Sequence, residues 1–285
     1  MNTAKLLSVG EHAHYPFKSY PKQACESSLF PGCAFPSQFP RTTDALADVC
    51  RKAGFGVAYD CCGDPVESYG EHKSAQRIQR NLQRRFDALG CKRVVVICPS
   101  CFNHLRGRLD CEVVHLFQIL DELGLERFAS FEKGSLFIPC PDRDTHEIEE
   151  SLRASCDLSD VPTMTKVGCC GLRADFASQG PEVVTKLSNK IIDTSKKEGG
   201  TLYTYCASCL GQFSRMGYND CRHAVSAILG VDEEPDSAHA FANRAKRKFD
   251  RNTNPLPCAA CTAGVGESPA KAAEAPVQAE EGATL

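Results

Sequence analysis

The sequence predicts an α/β protein built from two similar open-sheet, cysteine-rich domains related by pseudo-twofold symmetry. Three observations carry this. Short β-rich runs alternate with helical periodicities, the signature of parallel βαβ units. The order of elements occurs twice in the 285 residues, offset by about 108 positions, as in an internal repeat. Each copy also holds five cysteines in one pattern. The first has Cys33, the pair Cys61-Cys62 before Gly63, and Cys98-Pro-Ser-Cys101. The second has Cys140, the pair Cys169-Cys170 before Gly171, and Cys206-Ala-Ser-Cys209. In both copies 35 residues lie between the pair and the CxxC, and the first gap is 27 residues in one and 28 in the other.

The elements follow in order. Ser28-Leu29-Phe30 and Ser135-Leu136-Phe137 read as short strands, each delivering a cysteine at its C-terminal end. Leu46, Val49, Cys50 and Ala53 fall on one helical face, with Thr42 or Thr43 as N-cap and Gly54 as stop. Ile148, Leu152 and Cys156 mark the matching helix. Short strands are expected to end near Tyr59 and Val167, ahead of the cysteine pairs. Longer helices come next, one lined by Ile78, Leu82, Phe86 and Leu89, the other by Val184, Leu187 and Ile191. The runs Val94–Ile97 and Leu202–Tyr205 feed directly into the CxxC segments. Each copy closes with a histidine before a helix, His115 and His223. All five thiols of a copy thus come to the carboxyl edge of a parallel sheet, where open α/β sheets bind ligands. The domains are expected over 28–124 and 135–235, with 125–134 as linker. From about residue 252 the chain turns rich in Ala, Pro, Glu and Gly, and 262–285 reads as a disordered tail.

Composition narrows the chemistry. A net charge of −3 gives no electrostatic footprint for nucleic acid. No apolar run approaches the ~18 residues of a membrane span, and residues 1–27 lack the pattern of a secretory signal. Eighteen cysteines in such a chain point to a reducing, cytoplasmic setting and to metal or redox chemistry rather than a disulfide framework. Thiolate is a soft ligand for iron–sulfur clusters, zinc or copper(I). Five thiolates per copy exceed what one tetrahedral zinc needs. A CxxC that opens a helix gains from the positive end of the helix dipole, which favours thiolate over thiol. Cys50 and Cys156 lie on apolar faces and read as packed thiols, and Cys91, Cys111 and Cys221 as structural. Nothing is assigned to Cys25. Cys258-Ala-Ala-Cys261 has redox spacing but no βαβ context. His115 and His223 read as satisfied core histidines, with a proton donor as the alternative. Asn103 and His104 are candidates for reaching the space between the domains.

The pattern C-x27/28-CCG-x34-CxxC, present twice, resembles the cysteine-rich CCG domain, and Cys98-Pro-Ser-Cys-Phe-Asn103 looks like the heterodisulfide reductase B-like proteins and their bacterial relatives. The resemblance covers roughly residues 28–230. It departs from the family in a shorter first gap, in a second CxxC without proline, and in the unmatched segment 34–41. It implies two noncubane [4Fe-4S] clusters, facing each other, that reductively cleave a disulfide. Cys33, Cys61, Cys62, Cys98 and Cys101 would hold one, and Cys140, Cys169, Cys170, Cys206 and Cys209 the other. Related two-copy proteins instead serve lactate, glycolate or glycerol-phosphate oxidation as electron-transfer subunits. A metal scaffold without redox role is the third reading. The chain has no CxxCxxCxxxCP ferredoxin run and no GxGxxG. Its electrons are therefore expected from a ferredoxin-like iron–sulfur subunit or a flavoprotein subunit.

Overall fold

The computed structural model describes residues 3–125 and 131–256. It begins with an element the sequence pattern does not announce, helix α1 (Thr3–His12). The first copy then runs β1 (Ser27–Phe30), α2 (Phe35–Gln38), α3 (Pro40–Lys52), β2 (Gly56–Val57), α4 (Asp64–Glu67), α5 (His72–Ala88), β3 (Arg93–Val96), α6 (Pro99–Leu105) and β4 (Glu112–His115), closing in a 3-10 turn over Leu116–Ile119. All four strands are parallel, in the order β2-β1-β3-β4. The strand order reverses between β1 and β3, and beyond the carboxyl ends at such a switch point open α/β sheets bind their ligands. β3 is buried on both faces through Val94, Val95 and Val96, as a central parallel strand requires.

The second copy runs β5 (Gly134–Leu136), a 3-10 turn over Cys140–Asp142, α7 (Glu147–Ser155), α8 (Ala174–Ala177), α9 (Pro181–Glu198), β6 (Thr201–Thr204), α10 (Ala207–Arg215), β7 (Cys221–His223) and α11 (Ala224–Ile228). Its sheet is parallel, β5-β6-β7. The strand expected near Val167 is reduced to one parallel bridge, Leu136 with Thr163, on the flank of β5 that matches the place of β2. A last helix, α12 (Ala240–Lys248), folds back over the first copy. The expected tail, 262–285, with Cys258 and Cys261, lies outside the described residues.

Two helices differ in detail from expectation. α3 starts at Pro40, not at a threonine cap, because Glu233 arrives from the other copy. Its carboxylate accepts from the Arg41 and Thr42 N–H groups at 2.8 and 2.7 Å and from the Thr42 hydroxyl at 2.6 Å. α9 buries Ser188, Ile191, Ile192 and Ser195, leaving Val184 and Leu187 half-buried, so its inner face is rotated from the apolar stripe.

One hydrophobic core joins both copies, and the interface is reciprocal. α2, just after Cys33, packs against α10, the CxxC helix of the second copy: a Cβ at Gly211 would lie 2.7 Å from the Gln38 amide. The unmatched segment 34–41 is therefore the first copy's reach into the second. In return α6, the CxxC helix of the first copy, meets the turn at Cys140: the Asn103 amide donates to the Pro141 carbonyl at 2.5 Å, and Arg106 pairs with Glu147 at 2.6 Å.

Candidate metal centre

The first five thiols gather at the carboxyl edge of the β2-β1-β3-β4 sheet. Cys33 follows β1 after Gly32, whose φ is +74°; a Cβ there would come 3.1 Å from the Cys101 Sγ. Cys61 and Cys62 follow β2, and Gly63 (φ +98°) turns the chain into α4. Cys98 is the N-cap of α6, and Cys101 sits in its first turn. Cys61, Cys62 and Cys101 are buried and Cys33 and Cys98 half-buried. The second set repeats this. Cys140 opens the turn after β5, Gly171 (φ +95°) follows Cys169 and Cys170, and Cys206 caps α10 with Cys209 inside it. Cys169, Cys170 and Cys209 are buried, Cys140 and Cys206 half-buried.

Within each set the sulfurs form a hydrogen-bonded chain. Cys61 donates to Cys33 and holds its pKa down at about 5, with His12 adding to the effect. Cys62 is drawn well below the usual thiol range by Cys101 and Cys61. The donors Cys61 and Cys101 are pushed up in exchange. In the second set Cys169 is lowered to about 2 by hydrogen bonds from Cys140 and Cys170, and Cys206 is lowered by Cys209. Cys140, Cys170 and Cys209 are raised, and the Cys209 Sγ stands 3.1 Å from that of Cys170. Backbone N–H groups also point at sulfur: Asp64 to Cys62, Gly171 to Cys169 at 3.2 Å, and Ser208 and Cys209 to Cys206. Such donors stabilise thiolate. The CxxC thiols of the two sets act on each other electrostatically. A hydrogen bond from Cys101 pulls Cys98 down, but burial and the charges of Cys206 and Cys62 outweigh it and its pKa is raised.

Beside the first set stands a residue the sequence pattern did not single out. The His12 Nδ1 lies 3.4 Å from the Cys61 Sγ, and these atoms and the Cys33 Sγ all fall within 4.8 Å of one another. His12 lies ahead of the twofold cysteine pattern, beside His14, and nothing in that pattern flags it. Asn103 does reach the second copy. His104 turns the other way, buried between Gln79 (3.0 Å) and Glu67 (3.2 Å) inside the first copy. His115 and His223 are structural: each Nδ1 accepts the N–H two residues on, at 3.3 and 3.2 Å, and each ring bonds a strand-end carbonyl, Ile97 and Tyr205. Cys25, Cys50, Cys91, Cys156 and Cys221 are buried and Cys111 half-buried.

Among the described residues no helix is long and apolar enough to cross a membrane. A stretch of 113 residues, 35% of this chain, is 29% identical to an EtfAB:quinone oxidoreductase of Syntrophomonas wolfei subsp. wolfei (strain DSM 2245B / Goettingen), and the match spans 16% of that protein's own length. Among solved structures, glutamate racemase from Aquifex pyrophilus overlays 80% of this chain and 85% of its own with a TM-score of 0.36 and 13% identity, and nothing about this chain follows from so low a score. The family model for the cysteine-rich domain, CCG, matches twice, over residues 27–106 and 135–214, the two segments that carry the ten cysteines. The chain therefore belongs to the cysteine-rich CCG domain family, with two copies in tandem.

Proposed function

We propose that the chain is an iron–sulfur redox subunit of the heterodisulfide reductase B-like type. Its two five-cysteine sets each hold one noncubane [4Fe-4S] cluster, and its reaction is reductive cleavage of a disulfide. The observation that carries this reading is the linking of each set's five sulfurs by hydrogen bonds at the carboxyl edge of its sheet, with Cys206 acting on Cys98 through its charge. The donor set fits the group: all soft sulfur, more ligands than one zinc takes, several predisposed to the thiolate form. The backbone fits it too, since Gly32, Gly63 and Gly171 sit at positive φ where the chain bends around the thiols.

When bound, such clusters supply one-electron transfer and iron sites with affinity for sulfur. The residues of this chain hold and tune them. Cys33, Cys61, Cys62, Cys98 and Cys101 serve the first site, and Cys140, Cys169, Cys170, Cys206 and Cys209 the second. The N–H groups aimed at Cys62, Cys169 and Cys206 raise the potential by stabilising added electrons. The shared core fixes the distance between the sites. Electrons come from a ferredoxin-like iron–sulfur subunit or from a flavoprotein, since the chain carries no fingerprint of a dinucleotide site.

The second reading is an electron-transfer subunit of a dehydrogenase complex without its own substrate site. The matched segment of a quinone oxidoreductase favours it. The full chain, prepared anaerobically and given a viologen reductant with low-molecular-weight disulfides, separates the two. Turnover of a disulfide supports the reductase. Reduction of the centres without turnover of any disulfide supports the electron-transfer reading.

A further inference from the structure

We infer that His12 is a nitrogen ligand of the metal centre at the first site, which makes that centre a mixed cysteine–histidine one and the two centres of the molecule unequal. The inference deepens the proposed function and rests on metal being bound by the first five-cysteine set.

The distances are those of ligands sharing a metal. Bonds of about 2.0 Å to nitrogen and about 2.3 Å to sulfur, at tetrahedral angles, put the two donor atoms about 3.5 Å apart. The His12 Nδ1 and Cys61 Sγ are 3.4 Å apart, with the Cys33 Sγ in the same group. The ring is held in place. It stacks on Tyr15 with centroids 6.1 Å apart and planes 7° from parallel. Tyr15 packs edge-on against Phe17 at 5.5 Å, and Phe17 against Phe241 of α12 at 5.0 Å. Tyr15, Phe17 and Cys61 form a small buried cluster of their own, against which Cys33 packs. α1 is anchored on both sides, by Lys5 to Glu71 at 2.8 Å and by Glu11 to Arg244. Just past its end, Arg77 donates to the Ala13 carbonyl at 3.2 Å. A terminal segment tied at this many points presents its histidine to the thiols as a fixed feature.

The second site has no counterpart. Advancing His12 by the repeat offset lands on Ile119 and Leu120, two buried apolar residues of the first copy. Among the described residues, the second five-cysteine set forms no such group with a histidine. The asymmetry is therefore built into the sequence, by a helix placed ahead of the repeat.

The test is hyperfine spectroscopy on the full chain, reconstituted anaerobically with iron(II) and sulfide, reduced, and compared with the same protein carrying 15N-histidine. The expected result is a directly coordinated histidine nitrogen on one centre. It should be lost in H12A and H12C and kept in H14A and H104A. H12C offers a thiolate in place of the ring, so iron retained without the nitrogen signal excludes simple misfolding. Full iron with no histidine coupling in the parent protein, or a coupling that persists in H12A, overturns the ligand assignment and leaves the proposed function standing. Absence of iron from the first site overturns both.

Discussion

Gly171 and Gly63 occupy the same place in the two copies, yet a side chain would meet different neighbours. Both sit in the left-handed region, which costs a residue with a Cβ about 1 kcal/mol or more. At Gly63 the nearest atom to a Cβ is the Ile78 Cγ2 at 3.3 Å, which can shift; at Gly171 it is the Val184 Cα at 2.7 Å, which cannot. G171A should therefore lose more stability than G63A in denaturant unfolding, by more than the shared backbone cost. The two buried histidines give a pH signature. Burial lowers His115 to about 4, and burial together with the charge of His115 lowers His223 to about 3. Both Nδ1 atoms accept hydrogen bonds, so neither ring can take a second proton without breaking one. Below the ordinary histidine value near 6.5 the unfolded chain binds protons that the folded chain refuses. Their contribution is complete above that value and is lost as the pH falls toward the folded pKa. At pH 5 the loss is about 2 kcal/mol per histidine. The unfolding free energy should fall between pH 7 and 5, and fall less in H115Q/H223Q; equal slopes would show that these rings are not the cause. The ten cysteines and the paired histidines were legible in the sequence because repetition singles them out. His12 was not, since it has no counterpart in the second copy and lies outside the repeated pattern.

At the scale of elements, strands and their thiols were easier to read than helix ends. β3 is rich in valine and β6 in threonine and tyrosine, strand-forming residues both, and each leads directly into a CxxC. The start of α3 depends on a residue nearly two hundred positions away, which local pattern cannot reveal. Glu233 closes the N-terminus of that helix from the second copy, its charge favourable to the helix dipole. E233Q keeps the shape but loses the charge and part of the hydrogen bonding. It should cost about 1–2 kcal/mol, read as a lower denaturant midpoint. An unchanged midpoint would mean that α3 is set by its own residues. The inner face of α9 departs from its apolar stripe for a related reason. Two buried serines share that face with Ile191 and Ile192, and both are satisfied by distant groups: the Ser188 hydroxyl donates to the Cys170 carbonyl at 2.7 Å, and that of Ser195 lies 3.0 Å from the Tyr218 hydroxyl. A hydrophobic pattern sees only apolar burial.

For the whole molecule, the two copies exchange contacts in kind. The segment after each leading cysteine, α2 or the turn at Cys140, packs on the other copy's CxxC helix. This brings the two thiol sets toward one another within a single core. Twofold repetition in the sequence made the two similar sheets legible. Helices α1 and α12 stand outside the repeat, and the contact of α2 with α10 has no local signal, so these were not. The ten sulfurs all lie within residues 33–209, so a chain ending at Leu256 should bind as much iron as the full chain; loss of iron there would give Cys258 or Cys261 a place among the ligands. The central claim is that each copy holds its own cluster. Its most direct test is the iron and acid-labile sulfide content of anaerobically prepared C61S/C62S and C169S/C170S beside the parent. Serine oxygen is a harder and poorer ligand for such a cluster, so each pair should remove about half of both iron and sulfide. Unchanged iron in either variant, or zinc in place of iron in the parent, would contradict the account.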